Sequence, residues 1–174
     1  MAVPHKTPSV SPHGDAPSVG PLSGDELATW SALATVLEWL PPVLDAQLHS
    51  RWGLTHFEFG ILYALSRAEG RALPMSALAG FANSTLSRLS RAVSRLEKRG
   101  WAHRATDPDD RRVTIAGLTD SGAELVVSVA PAHDDLVRRL VFDSLTAEQA
   151  DSLREISLRV TQAISAEGGW RPGR

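Results

Sequence analysis

The spacing of apolar residues predicts helices along most of the chain, and it is most regular between residues 83 and 100. Apolar side chains recur there at steps of three, four and three residues, which places them on one stripe of a helix with 3.6 residues per turn. Serines and arginines occupy the opposite face, and Asn83 is predicted to be the N-cap. The stripe consists of Leu86, Leu89, Val93 and Leu96. We therefore expect a helix that is buried on one side and attracts anions on the other.

Two short strands are predicted immediately after Gly100. Residues 101–106 and 112–118 are typical of strands, and they are separated by the polar turn sequence Asp107-Pro108-Asp109-Asp110. The pattern in this part of the chain therefore predicts a helix followed by a basic β-hairpin.

Four capping-box sequences predict further helix starts. In this pattern a Ser or Thr side chain accepts a hydrogen bond from the third backbone N–H, and a Glu or Gln three residues later accepts one in return. The pairs are Ser23 with Glu26, Thr55 with Glu58, Ser121 with Glu124, and Thr146 with Gln149. They predict helices over residues 23–40, 55–68, 120–141 and 146–166.

Prolines modify this pattern. Pro41-Pro42 is predicted to end the first helix, so that residues 43–51 form a separate short helix. Pro74 favours the first turn of a small helix over residues 75–81, because a missing N–H does no harm there. Pro131 is predicted to kink the helix over residues 120–141 or to shift its hydrogen bonding.

The predicted order from residue 54 to residue 118 is helix, short helix, helix, hairpin, which is the winged helix-turn-helix arrangement. The fold class is mainly α with a small β-hairpin wing. The amphipathic helices outside this arrangement need a covering surface, and a second copy of the chain is the simplest one. The predicted organisation is a disordered tail (1–22), an N-terminal dimerisation helix with a connecting helix (23–52), a DNA-binding domain (53–118), C-terminal dimerisation helices (119–166) and a flexible tail (167–174).

Positive charge is concentrated in the predicted helix and hairpin. The whole chain has a formal net charge of −2, but residues 84–112 hold eight Lys or Arg against four Asp or Glu, and the remainder holds ten against sixteen. A basic stripe of this kind can bind phosphate while the acidic remainder keeps the protein soluble. A helix face that is merely solvated is the alternative interpretation, and the adjoining hairpin and the short Ser and Thr side chains between the arginines favour DNA.

Composition narrows the functional class. The chain has no cysteine, which excludes disulfides, thiolate metal sites and thiol redox sensing. Motifs of hydrolases, phosphate-binding loops and zinc proteases are absent from the sequence, so neither an enzyme nor a cofactor or metal site is predicted. Residues 1–21 contain five prolines and no signal-peptide stretch, and no apolar run approaches a membrane span. We expect a cytoplasmic protein without membrane contact.

Short motifs follow one another in a specific order along the chain. They are Gly53-Leu54-Thr55, Leu62 and Leu65, Leu78-Ala79, Ser84 to Arg91, Leu96-Glu97, Arg99-Gly100, Arg104, Asp107, Asp110-Arg111-Arg112, Leu118-Thr119 and Gly122. This ordered set, and above all the Asp-x-Arg wing before Leu-Thr-x-x-Gly, resembles the MarR family of bacterial transcription regulators. The resemblance covers residues 26–165.

The resemblance implies a homodimer whose first helix and last two helices interlock between protomers, with each winged domain on one half of a pseudo-palindromic operator in double-stranded DNA. It also implies a repressor that leaves the DNA when a small aromatic or phenolic ligand binds. The helix would lie in the major groove, with Arg88 or Arg91 reading a base, and Arg112 would enter the minor groove, oriented by Asp110. The predicted DNA-binding residues are Asn83, Ser84, Thr85, Ser87, Arg88, Arg91, Arg95, Arg104, Asp110, Arg111 and Arg112.

Candidate ligand-binding residues are Trp30, His49, Trp52 and His56, because their segments would face the cleft between the dimer helices and the DNA-binding domain. Core packing is the competing interpretation for the tryptophans, and an ordinary surface or core role competes with proton sensing or metal binding for the histidines. Two alternative functions stay open. One is a constitutive or activating regulator without ligand release, and the other is a winged-helix adaptor that binds an acidic protein.

Overall fold

The computed structural model describes residues 20–168, and six helices and a small sheet account for most of them. The helices are α1 (Gly24–Trp52), α2 (His56–Arg67), α3 (Met75–Phe81), α4 (Leu86–Lys98), α5 (Asp120–Leu140) and α6 (Ala147–Gly168), and the strands are β1 (Ala72–Pro74), β2 (Ala102–Thr106) and β3 (Thr114–Leu118). Two 3₁₀ turns, Glu69–Arg71 and Phe142–Ser144, complete the description. The predicted fold class is confirmed. Most of the two predicted tails, residues 1–19 and 169–174, lies outside the described residues.

The chain divides into two compact units, one up to Leu37 and one from Glu38 onward. The described part of the first unit contains the start of α1. The predicted capping box is present there, because the backbone N–H of Ser23 donates to Oε2 of Glu26 at 2.7 Å and that of Glu26 donates to Oγ of Ser23 at 3.3 Å. The beginning of the first helix was therefore predicted correctly.

The predicted end of that helix at Pro41-Pro42 is wrong, because both prolines lie inside α1, which absorbs the separate helix predicted over residues 43–51. A proline in a helix interior removes one hydrogen bond and costs about 3 kcal/mol. The residues that follow offset this cost, since Leu44 and Leu48 are buried and each such side chain stabilises the fold by about 1.5–3 kcal/mol. Packing thus overrides the local signal of the two prolines.

Helix α1 is also long and apolar enough to cross a membrane by length and composition alone, with an 18-residue window of mean hydropathy 1.2. Polar residues such as Ser31 and Thr35 interrupt the apolar residues here, so no uninterrupted apolar run marks this window in the sequence. Helices of soluble proteins can pass the same test, so it is weak support for a membrane span.

Helices α2, α3 and α4 pack around one core. Helix α2 begins as predicted, with Thr55 and Glu58 in a complete capping box. The apolar stripe of α4 is buried at Leu89, Val93 and Leu96, but Leu86 is exposed because it lies in the first turn, beyond the edge of the core. Side chains with no exposed surface in this core include Leu54, Ile61, Leu62, Leu65 and Leu78.

The sheet has three antiparallel strands in the order β1-β3-β2. Strands β2 and β3 are the predicted hairpin, and their register pairs Arg104 with Ala116. Strand β1 was not predicted, because three residues ending at Pro74 carry no periodicity; its pairing with β3 joins Ala72 to Gly117. The sheet therefore connects the start of α3 to the wing.

The C-terminal helices start differently from each other. The predicted box at Ser121 and Glu124 is wrong, since Thr119 is the N-cap of α5 and its side chain accepts from the backbone N–H of Gly122 at 3.0 Å. The hydroxyl of Ser121 instead donates to the carbonyl oxygen of Gly100 at 2.8 Å. Helix α6 begins as predicted, because Thr146 and Gln149 exchange both bonds of a capping box.

Candidate nucleic-acid interface

Helix α4 starts two residues later than predicted, and its N-cap is Thr85 rather than Asn83. The Thr85 backbone is extended and its Oγ1 accepts from the backbone N–H of Arg88 at 3.3 Å. An N-cap needs such an extended backbone, whereas Asn83 has a φ of +48° and forms the left-handed part of the preceding turn. The free N–H groups of this helix end consequently lie near Thr85.

Several of the predicted DNA-binding residues lie on the exposed face of α4. Thr85, Ser87, Arg88 and Arg91 are exposed, and Ser84 is half-buried in the turn before the helix. Because the opposite face is anchored in the core, this face is held at a fixed orientation. It presents short hydroxyl groups and two guanidinium groups, which suits phosphate oxygens and base edges.

Arg88 and Arg91 differ in their surroundings. The guanidinium carbon of Arg88 lies 4.2 Å from the centre of the Phe57 ring, a cation–π contact that holds Arg88 beside the start of α2. Among residues 20–168, neither arginine takes part in an ion pair, and Arg91 has no cation–π contact either. Both side chains line a groove of about 440 Å³ between α1, α2 and α4, which Asp45, His56 and Arg95 also line. Arg91 is therefore the arginine of this face most available to a partner.

Arg95 is predicted to contact DNA, and the structure gives it a partner within the protein. Its Nε donates to Oε1 of Glu58 at 2.6 Å, while the Arg95 side chain stays 56% exposed. The other carboxylate oxygen of Glu58 accepts from the backbone N–H of Thr55. Arg95 thus neutralises a buried carboxylate at the edge of the exposed face.

Arg104 is also predicted to contact DNA, but its guanidinium turns toward α4. Nε donates to Oε2 of Glu97 at 2.9 Å, and the terminal nitrogens donate to the hydroxyls of Ser90 and Ser94. The hydrogen bond between Arg104 and Glu97 lowers the pKa of the Glu97 carboxyl and raises the pKa of Arg104. The geometry favours a role in tying the wing strand to α4. Glu97, Ser90 and Ser94 share one face of α4, but no local pattern in the sequence indicates which hairpin residue reaches them.

The wing tip carries the predicted pairing of Asp110 with Arg112. Nε and Nη2 of Arg112 donate to the two carboxylate oxygens of Asp110, each at 3.1 Å, and the backbone N–H of Arg112 adds a third bond at 3.0 Å. Hydrogen bonds from Arg112 lower the pKa of Asp110. The Arg112 side chain is 91% exposed, and the neighbouring Arg111 is exposed as well. Arg112 is therefore pre-oriented and still accessible to a partner.

Of the four candidate ligand residues, the structure does not bring His49, Trp52 and His56 together. Trp30 belongs to the first unit, His49 is exposed, and Trp52 packs against the core. Only His56 lines the groove, and the sequence analysis missed its neighbour His133, whose ring is stacked at 5.4 Å between centroids. Burial and His133 lower the pKa of His56, whereas Asp45 opposes this shift. Within residues 20–168 no cluster of three or more His, Asp or Glu side chains has metal-binding geometry.

The core of three helices, the small sheet and the basic helix face define a winged helix-turn-helix protein. Residues 52–113 match the model of the MarR family. Among solved structures, Sco3205, a MarR family transcriptional regulator from Streptomyces coelicolor in complex with DNA, is 38% identical, with 91% of this chain and 98% of that chain covered and a TM-score of 0.85. AbsC, a MarR family regulator from the same organism, is 31% identical, with coverage of 86% and 100% and a TM-score of 0.81.

Curated relatives match over shorter stretches. An uncharacterised HTH-type transcriptional regulator of Bacillus subtilis, YdcH, is 31% identical over 84 residues, which are 47% of this chain and 57% of that protein. The Escherichia coli transcriptional repressor MprA is 28% identical over 112 residues, which are 64% of this chain and 63% of MprA. The alignments thus span less than two thirds of these two relatives. The chain belongs to the MarR family of transcriptional regulators, and the predicted family is confirmed.

Proposed function

We propose that the protein is a repressor that binds a pseudo-palindromic operator in double-stranded DNA as a homodimer. A small ligand releases this repressor from the DNA. The observation that carries DNA binding is the exposed hydroxyl and arginine face of α4 beside the pre-oriented Arg112 of the wing. Sco3205, the relative with 38% identity, was solved in complex with DNA, which supports the proposal. The proposed DNA-binding domain is residues 53–118.

In this proposal α4 is the recognition helix and lies in the major groove. Arg91 reads a guanine, since an arginine fork can bond O6 and N7 of that base at once. Thr85 and Ser87 bond phosphate oxygens, and Arg112 enters the narrow minor groove, whose negative potential favours a guanidinium group. Asp110 orients Arg112 through the two bonds described above.

Exposed apolar side chains support the homodimer. In the second unit, α6 leaves Leu153, Ile156, Val160 and Ile164 exposed at helical spacing, and in the first unit α1 does the same with Leu27, Trp30 and Leu33. Exposed apolar stripes of this kind are typical of interaction sites. A second copy of the chain would cover these side chains, with residues 23–52 and 119–166 as dimerisation helices. This dimer also accounts for the apolar character of α1 in a cytoplasmic protein.

The groove beside α4 supports ligand release. It has about 440 Å³, which is enough for a small aromatic or phenolic molecule, and it is lined by both His56 and the arginines of α4. A ligand here would compete with DNA for Arg88 and Arg91. Three further ligand contacts are proposed from the sequence alone, namely Trp30, His49 and Trp52.

Binding to a fluorescent duplex that carries the DNA upstream of the protein's own gene tests the proposal, with titration at several salt concentrations and a scrambled duplex as control. A dimer that neutralises about six to eight phosphates gives a log–log salt slope of about −0.9 per phosphate and prefers its own duplex. Weak and equal binding to both duplexes would contradict DNA-specific regulation and favour an acidic protein partner. Specific binding that no small aromatic acid weakens would instead favour a constitutive or activating regulator.

A further inference from the structure

Arg99 joins the ends of two helices. It is the C-cap of α4, where its backbone N–H donates to the carbonyl oxygens of Arg95 and Leu96, and its side chain reaches the end of α1. There Nη1 donates to the carbonyl oxygen of Gly53 at 2.7 Å and Nη2 donates to that of Trp52 at 2.8 Å. The residue at the end of α4 therefore also caps the end of α1 with its side chain.

The chemistry of this contact is favourable. The last carbonyl groups of a helix have no partners within the helix and carry partial negative charge, which a guanidinium fork satisfies with two donors. Gly53 leaves room for the fork, because a Cβ at this position would lie 3.3 Å from both terminal nitrogens of Arg99, and its φ of +65° favours glycine. The guanidinium carbon also lies 3.7 Å from the centre of the Trp101 ring. The Arg99 guanidinium is thus held by the carbonyl groups at the end of α1 and by the ring of Trp101.

The residues after Arg99 connect the same place to α5. The hydroxyls of Thr119 and Ser121 donate to the carbonyl oxygen of Gly100 at 2.7 and 2.8 Å, and the backbone N–H of Thr119 donates to the carbonyl oxygen of Trp101 at 3.1 Å. The end of α4 is therefore attached to α1 through Arg99 and to α5 through backbone carbonyls. Both of these helices are proposed dimerisation helices.

We propose that Arg99 is a positioning residue that sets the separation and orientation of the two recognition helices in the dimer, and through them the half-site spacing that the protein accepts. The inference rests on the proposed function. Half-site spacing is a geometric property of a dimer, since one added base pair moves a half-site by about 3.4 Å and turns it by about one tenth of a turn. Without the Arg99 contact to α1, the DNA-binding domain would tolerate such a displacement.

The first test compares spacing profiles. The wild-type dimer selects its preferred duplex from a random library, and one or two base pairs are then inserted or deleted at the centre of that duplex. We expect the wild type to lose about tenfold or more in affinity for one inserted pair. For the same insertion, Arg99→Ala should lose less than about threefold in affinity. Arg99→Lys keeps the charge and one donor group, so its loss should lie between those of the wild type and Arg99→Ala.

Lys98→Ala is the matched control, because it removes one exposed charge from the same helix end without touching α1. It should weaken binding to all duplexes equally and keep the wild-type dependence of affinity on half-site spacing. If Arg99→Ala behaves like Lys98→Ala, Arg99 contributes charge only and the inference is overturned. If the wild type selects no duplex, the proposed function itself fails, so the two failures are distinguishable.

A second test needs no DNA. The chain has no cysteine, so Ser87→Cys gives one spin label on each α4 of the dimer, and pulsed electron resonance then measures the distance between them. We expect a narrow distance distribution in the otherwise unchanged protein and a broad one when Arg99→Ala is added. Equal widths would overturn the inference. Arg99→Gln, which keeps an amide donor, replaces Arg99→Ala if that variant does not fold.

Discussion

Nε of Arg95 lies 2.6 Å from Oε1 of Glu58, whose side chain is only 7% exposed. The same carboxylate accepts the N-terminal hydrogen bond of α2 from Thr55 through its other oxygen. One acidic group therefore begins α2 and fastens it to α4. Because a buried carboxylate without a partner is costly, Arg95 stabilises the domain even though it lies beside the proposed DNA-binding face.

Arg95→Ala should lower the free energy of unfolding by about 1–3 kcal/mol, because it leaves a buried carboxylate oxygen without its charged donor. Urea denaturation measures this change. Arg91→Ala removes the same charge from the exposed face and should stay within about 0.5 kcal/mol of the wild type. Equal destabilisation by the two substitutions would contradict the role assigned to Arg95.

Arg112→Ala should weaken operator binding strongly and leave the dimer intact, because the side chain is exposed at the wing tip and its partner Asp110 belongs to the same turn. Fluorescence anisotropy measures the affinity, and light scattering measures the mass. Asp110→Asn keeps the size of the orienting side chain and removes its charge, so its effect should be smaller. Loss of the dimer in Arg112→Ala would show that the wing was assigned the wrong role.

Arg104→Ala should release the wing from α4, because Arg104 supplies the bonds to Glu97, Ser90 and Ser94. Hydrogen exchange at the amides of β2 and β3 should become faster, since these strands lose their attachment to the helix. Arg111→Ala is the control, because it removes an exposed charge from the same hairpin. Unchanged exchange in Arg104→Ala would argue that Arg104 contacts DNA as the sequence alone predicts.

The sequence predicted those features that depend on neighbouring residues. The capping box at Thr55 and Glu58 formed as predicted, because both partners lie in one turn and Arg95 binds only the other carboxylate oxygen of Glu58. The box at Ser121 failed because its hydroxyl is taken by the carbonyl of Gly100, which is distant in sequence.

Longer-range packing explains the other differences. Pro41 and Pro42 did not end α1, because the burial of Leu44 and Leu48 lies outside any local pattern. Most of the exposed arginine face could be read from periodicity alone. The inward turn of Arg104 could not, because it depends on which residues of α4 the hairpin reaches.

Protonation of His56 should make the fold less stable in mild acid. Burial and the neighbouring His133 lower its pKa below the ordinary value of 6.5, against the opposing charge of Asp45, so the unfolded chain binds a proton that the folded chain resists. The effect is absent well above the ordinary pKa and grows as the pH falls below it. Asp134, whose Oδ1 lies 3.3 Å from Nδ1 of His133, is the other charged group at this stack.

Urea denaturation at about pH 7.5 and about pH 5.5 measures the size of this effect. His56→Gln removes the titrating group, so it should lose less stability between the two pH values than the wild type does. His49→Gln is the control, because His49 is exposed and should leave the wild-type difference unchanged. Identical pH dependence in the wild type and His56→Gln would place the acid sensitivity elsewhere.

Arg91→Ala should cost about 1–3 kcal/mol of operator binding and relax the preference at one base position, if Arg91 reads a base as proposed. The structure favours Arg91 over Arg88 for this role, because Arg88 is held against Phe57 whereas Arg91 has no cation–π contact within residues 20–168. Affinities for duplexes with each single base changed in turn give the measurement, and Arg88→Ala is the matched comparison. A loss that is equal on all duplexes and reduces the salt slope by about one phosphate would instead make Arg91 a backbone contact.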